Sequence, residues 1–348
     1  MRTLVVSALL ALSCSIAQAG TSPAVDATPH TRQFVTTNDG VRLEVLDYGG
    51  SGSPLIFLGG LGETAHELDP LAARFADQHH VYGITRRGYG ASDKPDPATA
   101  DYSADRLGDD VLNVIDKLGI EKPIIVGHSL AGEEMSSIAT RYPQKVVGLI
   151  YLDAGYAYAL YVPGNIIPLG SNLIIAAKSL RGKLAGIRIE PGEDPDAANK
   201  LKELRLVLPG FSKDIAAVQK ELADGATIPA LPDSPPSRIA AAIINGQQAY
   251  FGSRLPILAF YAIKSPPAKS SPQEIVDLQK ENAAILAQAD AFAAANPNAR
   301  VVRLNGAVHA IWISNSQEVF QEMATFLNEL PSRNKSYVSA ASVHQGTE

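Results

Sequence analysis

One short segment restricts the fold more than any other. Pro123 to Val126 is wholly apolar, and it runs without a spacer into Gly127-His128-Ser129-Leu130-Ala131-Gly132 and then into a helical pattern closed by Pro143. An apolar run with no polar alternation reads as a strand covered on both faces. A strand that turns directly into a helix makes a crowded corner, so the positions around it must be small. Gly127, Ala131 and Gly132 meet that demand. Short β-rich runs alternate with longer helical patterns along most of the chain. The expected class is therefore α/β, a mostly parallel sheet with helices on both faces.

Arg42 to Tyr48 alternates apolar with charged residues and reads as an early edge strand. Pro54 to Leu58 and His80 to Thr85 are the next strands, with a crossover helix expected over Ala65 to Ala76. Ser103 can cap a helix whose stripe is Leu107, Val111, Val114, Ile115 and Leu118, stopped by Gly119. Val146 to Leu152 is a further strand, ending at Asp153. From Ala154 to Arg254 the rhythm breaks for about a hundred residues, too long for a bare loop in a compact domain. Asp194-Pro195 can open a helix there, and Ser212 can cap another that places Ile215, Val218 and Leu222 inward, with Gly225 after it. We read residues 154–254 as an inserted helical cap. The sheet resumes over Leu255 to Ala262, and Ser271-Pro272-Gln273-Glu274 is a capping box before a long Ala-rich helix. Val301 to Leu304 is the last strand, followed by His309 and a helix from Ser316 to Leu330. The expected organisation is thus a core of 33–153 and 255–330 around the cap, a short arm at 20–32 and a polar tail at 331–348.

The first nineteen residues read as a secretory signal. Arg2 gives a positive start, Leu4 to Leu12 an apolar run, and Ala17-Gln18-Ala19 a cleavage site of the small-x-small kind. A lipid anchor on Cys14 is the weaker alternative, since Ala11-Leu12-Ser13 matches a lipoprotein cleavage box poorly. Export to the periplasm or the exterior is expected. The apolar run is too short to span a bilayer, and no other stretch approaches the necessary length. Cys14 is the only cysteine, so the mature chain has no disulfide, thiol nucleophile or cysteine metal site. Removing the signal leaves 29 basic residues against 36 acidic, a net charge of −7 with histidine neutral. No basic run suits a phosphate backbone, and a nucleic acid partner is not expected.

A serine lifted out of the sheet on a strand-to-helix corner is exposed to substrate, and the backbone N–H of the following residue, Leu130, is free to face a developing oxyanion. Serine becomes a nucleophile only when a base takes its proton. His309, just after the last strand, is the candidate base. His30 and His344 lie in the terminal arms, and His79-His80 opens a strand at the far end of the sheet. His66 faces solvent or a helix neighbour, and the side chain of His128 is directed away from the serine hydroxyl.

Four segments together resemble the α/β-hydrolase superfamily over about residues 33 to 330: Leu58-Gly59-Gly60-Leu61-Gly62, Arg87-Gly88-Tyr89-Gly90-Ala91-Ser92, the corner at Ser129, and Gly306-Ala307-Val308-His309. The resemblance implies that Leu61 supplies the second oxyanion N–H, although Gly59 stands where relatives commonly carry histidine. It also implies an acid to orient His309. In most relatives that acid follows the strand corresponding to Pro256–Ala262, but Ile263-Lys264-Ser265-Pro266-Pro267 contains no carboxylate. Glu274 is occupied by its capping box. Some relatives place the acid one strand earlier, which assigns the role to Asp153; a cap for the loop that follows is the other reading of that residue. The expected activity is hydrolysis of a small-molecule ester or lactone through an acyl-enzyme, with no cofactor and no metal. Carbon–carbon hydrolases, amidases, haloperoxidases and acyltransferases share such a triad, and a binding protein with vestigial chemistry is the non-enzymatic alternative. A serine nucleophile points away from the epoxide hydrolase and dehalogenase branches, which use aspartate there. Tyr156, Tyr158 and Tyr161, where the cap begins, are candidates to line the substrate pocket, with packing between cap and core left open as the alternative. Glu133 and Glu134 are assigned to the electrostatics of a helix N-terminus, and Arg86-Arg87 to a structural turn.

Overall fold

In a computed structural model of the chain, residues 28–162 and 235–330 are described, with a few isolated positions between them. The signal at 1–19, most of the arm, the tail from 331, and the helical signals at Asp194-Pro195, Ile215, Val218 and Leu222 lie outside the described residues. Arg205, Leu208, Pro209, Ser212 and Ala216 are helical.

Eight strands form one sheet: β1 (Thr31–Thr36), β2 (Arg42–Gly49), β3 (Leu55–Leu58), β4 (Val81–Ile84), β5 (Ile124–His128), β6 (Gly148–Leu152), β7 (Ile257–Ile263) and β8 (Ala299–Asn305). Their spatial order is β1-β2-β4-β3-β5-β6-β7-β8. Pairings from β4 onward are parallel, while β2 runs antiparallel to both β1 and β4. Arg42–Gly49 is therefore not the edge: β1 covers it, pairing Thr31 with Asp47 through Thr36 with Arg42. The run Thr-Arg-Gln-Phe-Val-Thr is mostly exposed, so it carries little apolar signal of its own.

Alternate side chains of the central strands enter two separate cores, as the two-residue period of a strand requires. In β3, Ile56 and Leu58 join one core, Leu55 and Phe57 the other. The first core is covered by α2 (Ala104–Lys117), α3 (Ala131–Arg141) and α5 (Pro272–Ala295) through Val111, Ile115, Met135, Ile138, Ile285 and Phe292. The second is covered by α6 (Ser316–Glu329) through Val319, Met323 and Phe326, and by residues 65–75 through Leu68, Leu71 and Phe75. The latter segment is not one crossover helix. It is a 3₁₀ turn (Ala65–Leu68), a single turn α1 (Asp69–Ala72) and a second 3₁₀ turn (Ala73–Phe75). Ser103 caps α2 by accepting from the Arg106 N–H, and Ser271 with Glu274 forms the expected capping box on α5.

Of the segment expected as a cap, residues 154–162 and 235–254 are described, including helix α4 (Pro235–Gly246). Its Ile239 and Ile243 pack with Tyr89, Tyr102, Leu107 and Leu130, and Leu61 and Tyr158 lie against the same cluster. Buried Arg87 ties β4's end to α2 and the β1–β2 turn, donating to both carboxylate oxygens of Asp110 at 2.6 Å and to Asp39 at 2.9 Å. Among the described residues no helix is long and apolar enough to cross a membrane.

Candidate active site

Because β3, β5, β6, β7 and β8 are parallel, the segments that leave their carboxyl ends meet on one rim, where open α/β sheets bind ligands. Ser129 follows β5, Asp153 follows β6, His309 follows β8, and Gly59-Gly60-Leu61 follows β3.

Ser129 and Asp153 share a property that few non-glycine residues have. Their φ angles are +49° and +47°, in the left-handed region. That conformation costs an L-residue with a Cβ about 1–2 kcal/mol, so the surroundings must enforce it. At Ser129 the enforcement is visible. Its N–H donates to Leu152 O at 3.1 Å, and its carbonyl accepts from Gly132 N–H at 3.0 Å. The small residues around the corner are required by contact. A Cβ on Gly132 would lie 2.1 Å from the Ala154 carbonyl oxygen, and one on Gly127 would lie 2.8 Å from Met135 Cε. The strand-to-helix corner thus needs glycine at Gly132, where the obstacle is backbone, whereas at Gly127 the obstacle is the movable end of a methionine.

The three candidate residues are brought together in one chain of hydrogen bonds. Ser129 Oγ lies 2.8 Å from His309 Nε2, and His309 Nδ1 lies 2.6 Å from Asp153 Oδ2. Asp153 is 2% exposed. Its other oxygen, Oδ1, accepts from the Ala262 N–H at 2.9 Å and from the Tyr156 hydroxyl at 2.5 Å. Strand β7, which ends in a loop without a carboxylate, therefore contributes a backbone donor that holds the acid of its neighbour. With Asp153 ionised and accepting from Nδ1–H, the imidazole presents its Nε2 lone pair to the serine hydroxyl.

The β3 loop supplies the second wall. Leu61 and Leu130 flank Ser129, and among the described residues neither N–H donates to a backbone carbonyl. Gly60 packs so closely that a Cβ there would sit 3.0 Å from both Ser129 Cβ and Glu63 Oε2. Arg86 orients the loop from below. Its Nη1 and Nη2 donate to Gly60 O at 2.8 Å and Gly59 O at 2.9 Å, while its Nε pairs with Glu134. Gly60 C=O and Leu61 N–H belong to one peptide plane and point in opposite directions. Holding the carbonyl toward Arg86 aims the Leu61 N–H away from it. Glu134 lies in the first turn of α3, the helix that begins after Leu130, so the ion pair links the two walls. Both partners are buried, and the Glu134 carboxylate holds Arg86 charged against the opposing effect of burial. Glu134 is thus the counter-ion of Arg86, a role beyond the helix-end electrostatics expected of it.

The tyrosines separate into different roles. Tyr158 packs against the cluster of Leu61 and Leu130 beside Ser129, and burial together with the nearby Asp153 charge raises its phenol well above the ordinary value, which keeps it neutral. Tyr158 therefore lines the site. The Tyr156 hydroxyl is committed to Asp153, and burial and that carboxylate raise it likewise. Tyr161 is 3% exposed and packs edge-on against Phe251. Neither of these two is placed as a substrate contact. Sequence reasoning also missed Glu63, whose carboxylate accepts from the Gly60 N–H at 2.5 Å and faces His128 Nδ1 at 2.7 Å. The ring nitrogens of His128 face Glu63 and the His309 carbonyl. Among the described residues no group of histidine, cysteine and acidic side chains is arranged to hold a metal ion.

Comparison with known proteins agrees with this architecture. The α/β hydrolase fold family model matches residues 53–316, and the chain belongs to that family. An uncharacterized protein of Mycobacterium bovis is 30% identical over 178 residues, 47% of this chain and 50% of the relative. The 2-(acetamidomethylene)succinate hydrolase of Mesorhizobium japonicum is 28% identical over 164 residues, 42% of this chain and 56% of that protein. The chain thus spans about half the length of the curated relatives it matches. Among solved structures, the enol-lactonase from Burkholderia xenovorans superposes with a TM-score of 0.53 at 17% identity, covering 85% of this chain and all of that one, a likeness of fold.

Proposed function

We propose that the protein hydrolyses a carboxylic ester or lactone of a small molecule through an acyl-enzyme on Ser129. The observation that carries this reading is the unbroken chain from Ser129 Oγ through His309 to Asp153, with links of 2.8 and 2.6 Å. In the proposed cycle His309 Nε2 takes the Ser129 proton as Oγ attacks the carbonyl carbon. The carbonyl π electrons move to oxygen, and the Leu61 and Leu130 N–H groups stabilise that oxyanion. On collapse, the protonated Nε2 returns the proton to the leaving alkoxide, and the alcohol departs. Water, deprotonated by the same nitrogen, then releases the acid and regenerates Ser129. Asp153 holds the tautomer and stabilises the imidazolium.

Serine in the nucleophile position favours an acyl-enzyme over the alkyl-enzyme that a carboxylate nucleophile forms. The apolar cluster of Leu61, Leu130, Ile239 and Ile243 beside the site suits an acyl or alkyl group of modest size. The test is a panel of p-nitrophenyl esters of increasing chain length, run beside lactones and anilides. Turnover of esters or lactones, abolished in Ser129→Ala, supports the proposal. Turnover confined to amides, or none, counts against it. Export after removal of residues 1–19 is part of the same proposal, and N-terminal sequencing of the protein recovered outside the cytoplasm tests it, with Gly20 as the expected first residue.

A further inference from the structure

His128 stands directly before the candidate nucleophile and takes no part in the Ser–His–Asp chain. Its side chain is 2% exposed, and both ring nitrogens face oxygen. Nδ1 lies 2.7 Å from Glu63 Oε2, and Nε2 lies 3.2 Å from the main-chain carbonyl oxygen of His309. A carboxylate and a carbonyl only accept. A neutral imidazole has one N–H, so it would satisfy one partner and set a lone pair against the other. The same Oε2 already accepts the Gly60 N–H at 2.5 Å, which suits the ionised carboxylate. Partial burial works against that charge, but His128 and the Gly60 N–H together hold the Glu63 carboxyl below its ordinary range.

We propose that His128 is a doubly protonated imidazolium, and that with Glu63 it forms a positioning pair tying the loop that carries Leu61 to the loop that carries His309. The inference rests on the hydrolase reading above. Its geometric content is specific. Glu63 fixes the Gly60 N–H and Arg86 fixes the Gly60 carbonyl, so the two peptide planes that meet at Gly60, the second of which presents Leu61 N–H, are each held by one partner. Through Nε2, the same cation holds the backbone of His309 itself. Oxyanion donor and base are thereby kept at a set spacing about Ser129.

The charges around the pair favour the cation. A lone carboxylate beneath the oxyanion loop would oppose the negative charge that develops there, and the imidazolium cancels it. The His128 ring lies 4.5 Å from the His309 ring, and Trp312 packs edge-on against its other side at 4.6 Å. The ionisable groups facing the pair are Glu63 from the β3 loop and His309 from the β8 loop, with Arg86 from the β4 end across Gly60. When His309 accepts the serine proton, two imidazoliums stand side by side. Glu63 and Asp153 supply one compensating carboxylate to each.

Nitrogen-15 NMR of the histidine-labelled full chain tests the charge directly, with the His128 resonances assigned by their loss in His128→Gln. Two protonated ring nitrogens at neutral pH are expected, and one unprotonated nitrogen overturns the proposal. Kinetics test the positioning role. Glu63→Gln and His128→Gln should each lower kcat on a p-nitrophenyl ester by about tenfold to a hundredfold, the scale of a misplaced catalytic group, with KM within about twofold. The double variant should be no slower than the slower single one, because both break the same link. Singles with wild-type kcat, or losses that multiply in the double variant, overturn it. Should neither variant fold, the NMR of the wild-type chain decides, with the His128 ring nitrogens assigned by through-bond correlation to the His128 backbone. A wild type inert toward every ester sinks the hydrolase reading and leaves the NMR criterion in force.

Discussion

Replacing Asp153 with asparagine isolates the acid from everything else it does. Asp153 Oδ1 accepts from Ala262 N–H and the Tyr156 hydroxyl, and an asparagine carbonyl oxygen can keep both bonds. The amide nitrogen then takes the Oδ2 position, 2.6 Å from His309 Nδ1. Two donors cannot face each other there, so the imidazole shifts to the tautomer with its proton on Nε2. That N–H points at Ser129 Oγ and cannot accept its proton. The corner, the sheet and the buried contacts of Asp153 are unchanged, so the melting temperature should stay within a few degrees of wild type. Turnover should fall by about ten-thousandfold, the scale known for this substitution in a serine triad, which is about 5 kcal/mol of barrier. The assay is kcat/KM for the best p-nitrophenyl ester, with circular dichroism on the same samples. Activity within about tenfold of wild type, in a folded variant, would refute the assignment of Asp153 and return it to the role of a loop cap.

Further outcomes follow from the same geometry. Tyr156→Phe removes one of the donors to Asp153 Oδ1 and should slow turnover by about three- to tenfold, a fraction of the worth of a hydrogen bond to a charged group, with KM unchanged; a large rise in KM would instead make it a substrate contact. Arg86→Met strands Glu134 in the core and should cost about 3–5 kcal/mol in urea denaturation, whereas the double change Arg86→Met with Glu134→Leu should recover most of it. Gly132→Ala forces a Cβ into the Ala154 carbonyl and should destabilise by about 1–3 kcal/mol with loss of activity, measured by the same method. Glu63 has a depressed carboxyl in the folded chain. Its stabilising contribution is therefore complete above the unfolded-state value of about 4.3 and is lost as pH falls through the lower folded value. Urea midpoints across that acid range should fall more steeply for wild type than for Glu63→Gln, and parallel curves would contradict the ion pair.

How far the sequence carried depends on what kind of signal each feature leaves. The central strands were legible because burial on both faces makes them unbroken apolar runs, and the corner at Ser129 because small residues crowd it, Gly132 being dictated by contact with the Ala154 carbonyl. The acid was assigned through the resemblance, because the loop after β7 offers no carboxylate and some relatives place the acid one strand earlier, and the structure does bring Asp153 to His309. Strand β1 was missed because an exposed edge strand of threonine, arginine and glutamine has no apolar pattern. The segment from Ala65 to Ala76, expected as one crossover helix, breaks into three short turns over Ala65 to Phe75. Partnerships across the fold left the weakest trace. Glu63 and His128 are 65 positions apart, Arg86 and Glu134 48 apart, and no spacing rule joins them. The one available hint was chemical. A histidine and a glutamate next to a buried strand end each need a partner, and the sequence does not say which. Tyr156 sits three positions after Asp153, and only the path of that loop makes its hydroxyl a donor to the acid.

Activity-based labelling puts the central claim to its most direct test, because a fluorophosphonate reacts only with a serine that an adjacent base has activated. The intact chain should gain a single phosphonyl group, mapped by peptide mass spectrometry to Ser129. Ser129→Ala should gain none, and His309→Gln should react far more slowly. Labelling that is absent from the folded wild type, or that persists in Ser129→Ala, would contradict a catalytic Ser129–His309–Asp153 triad.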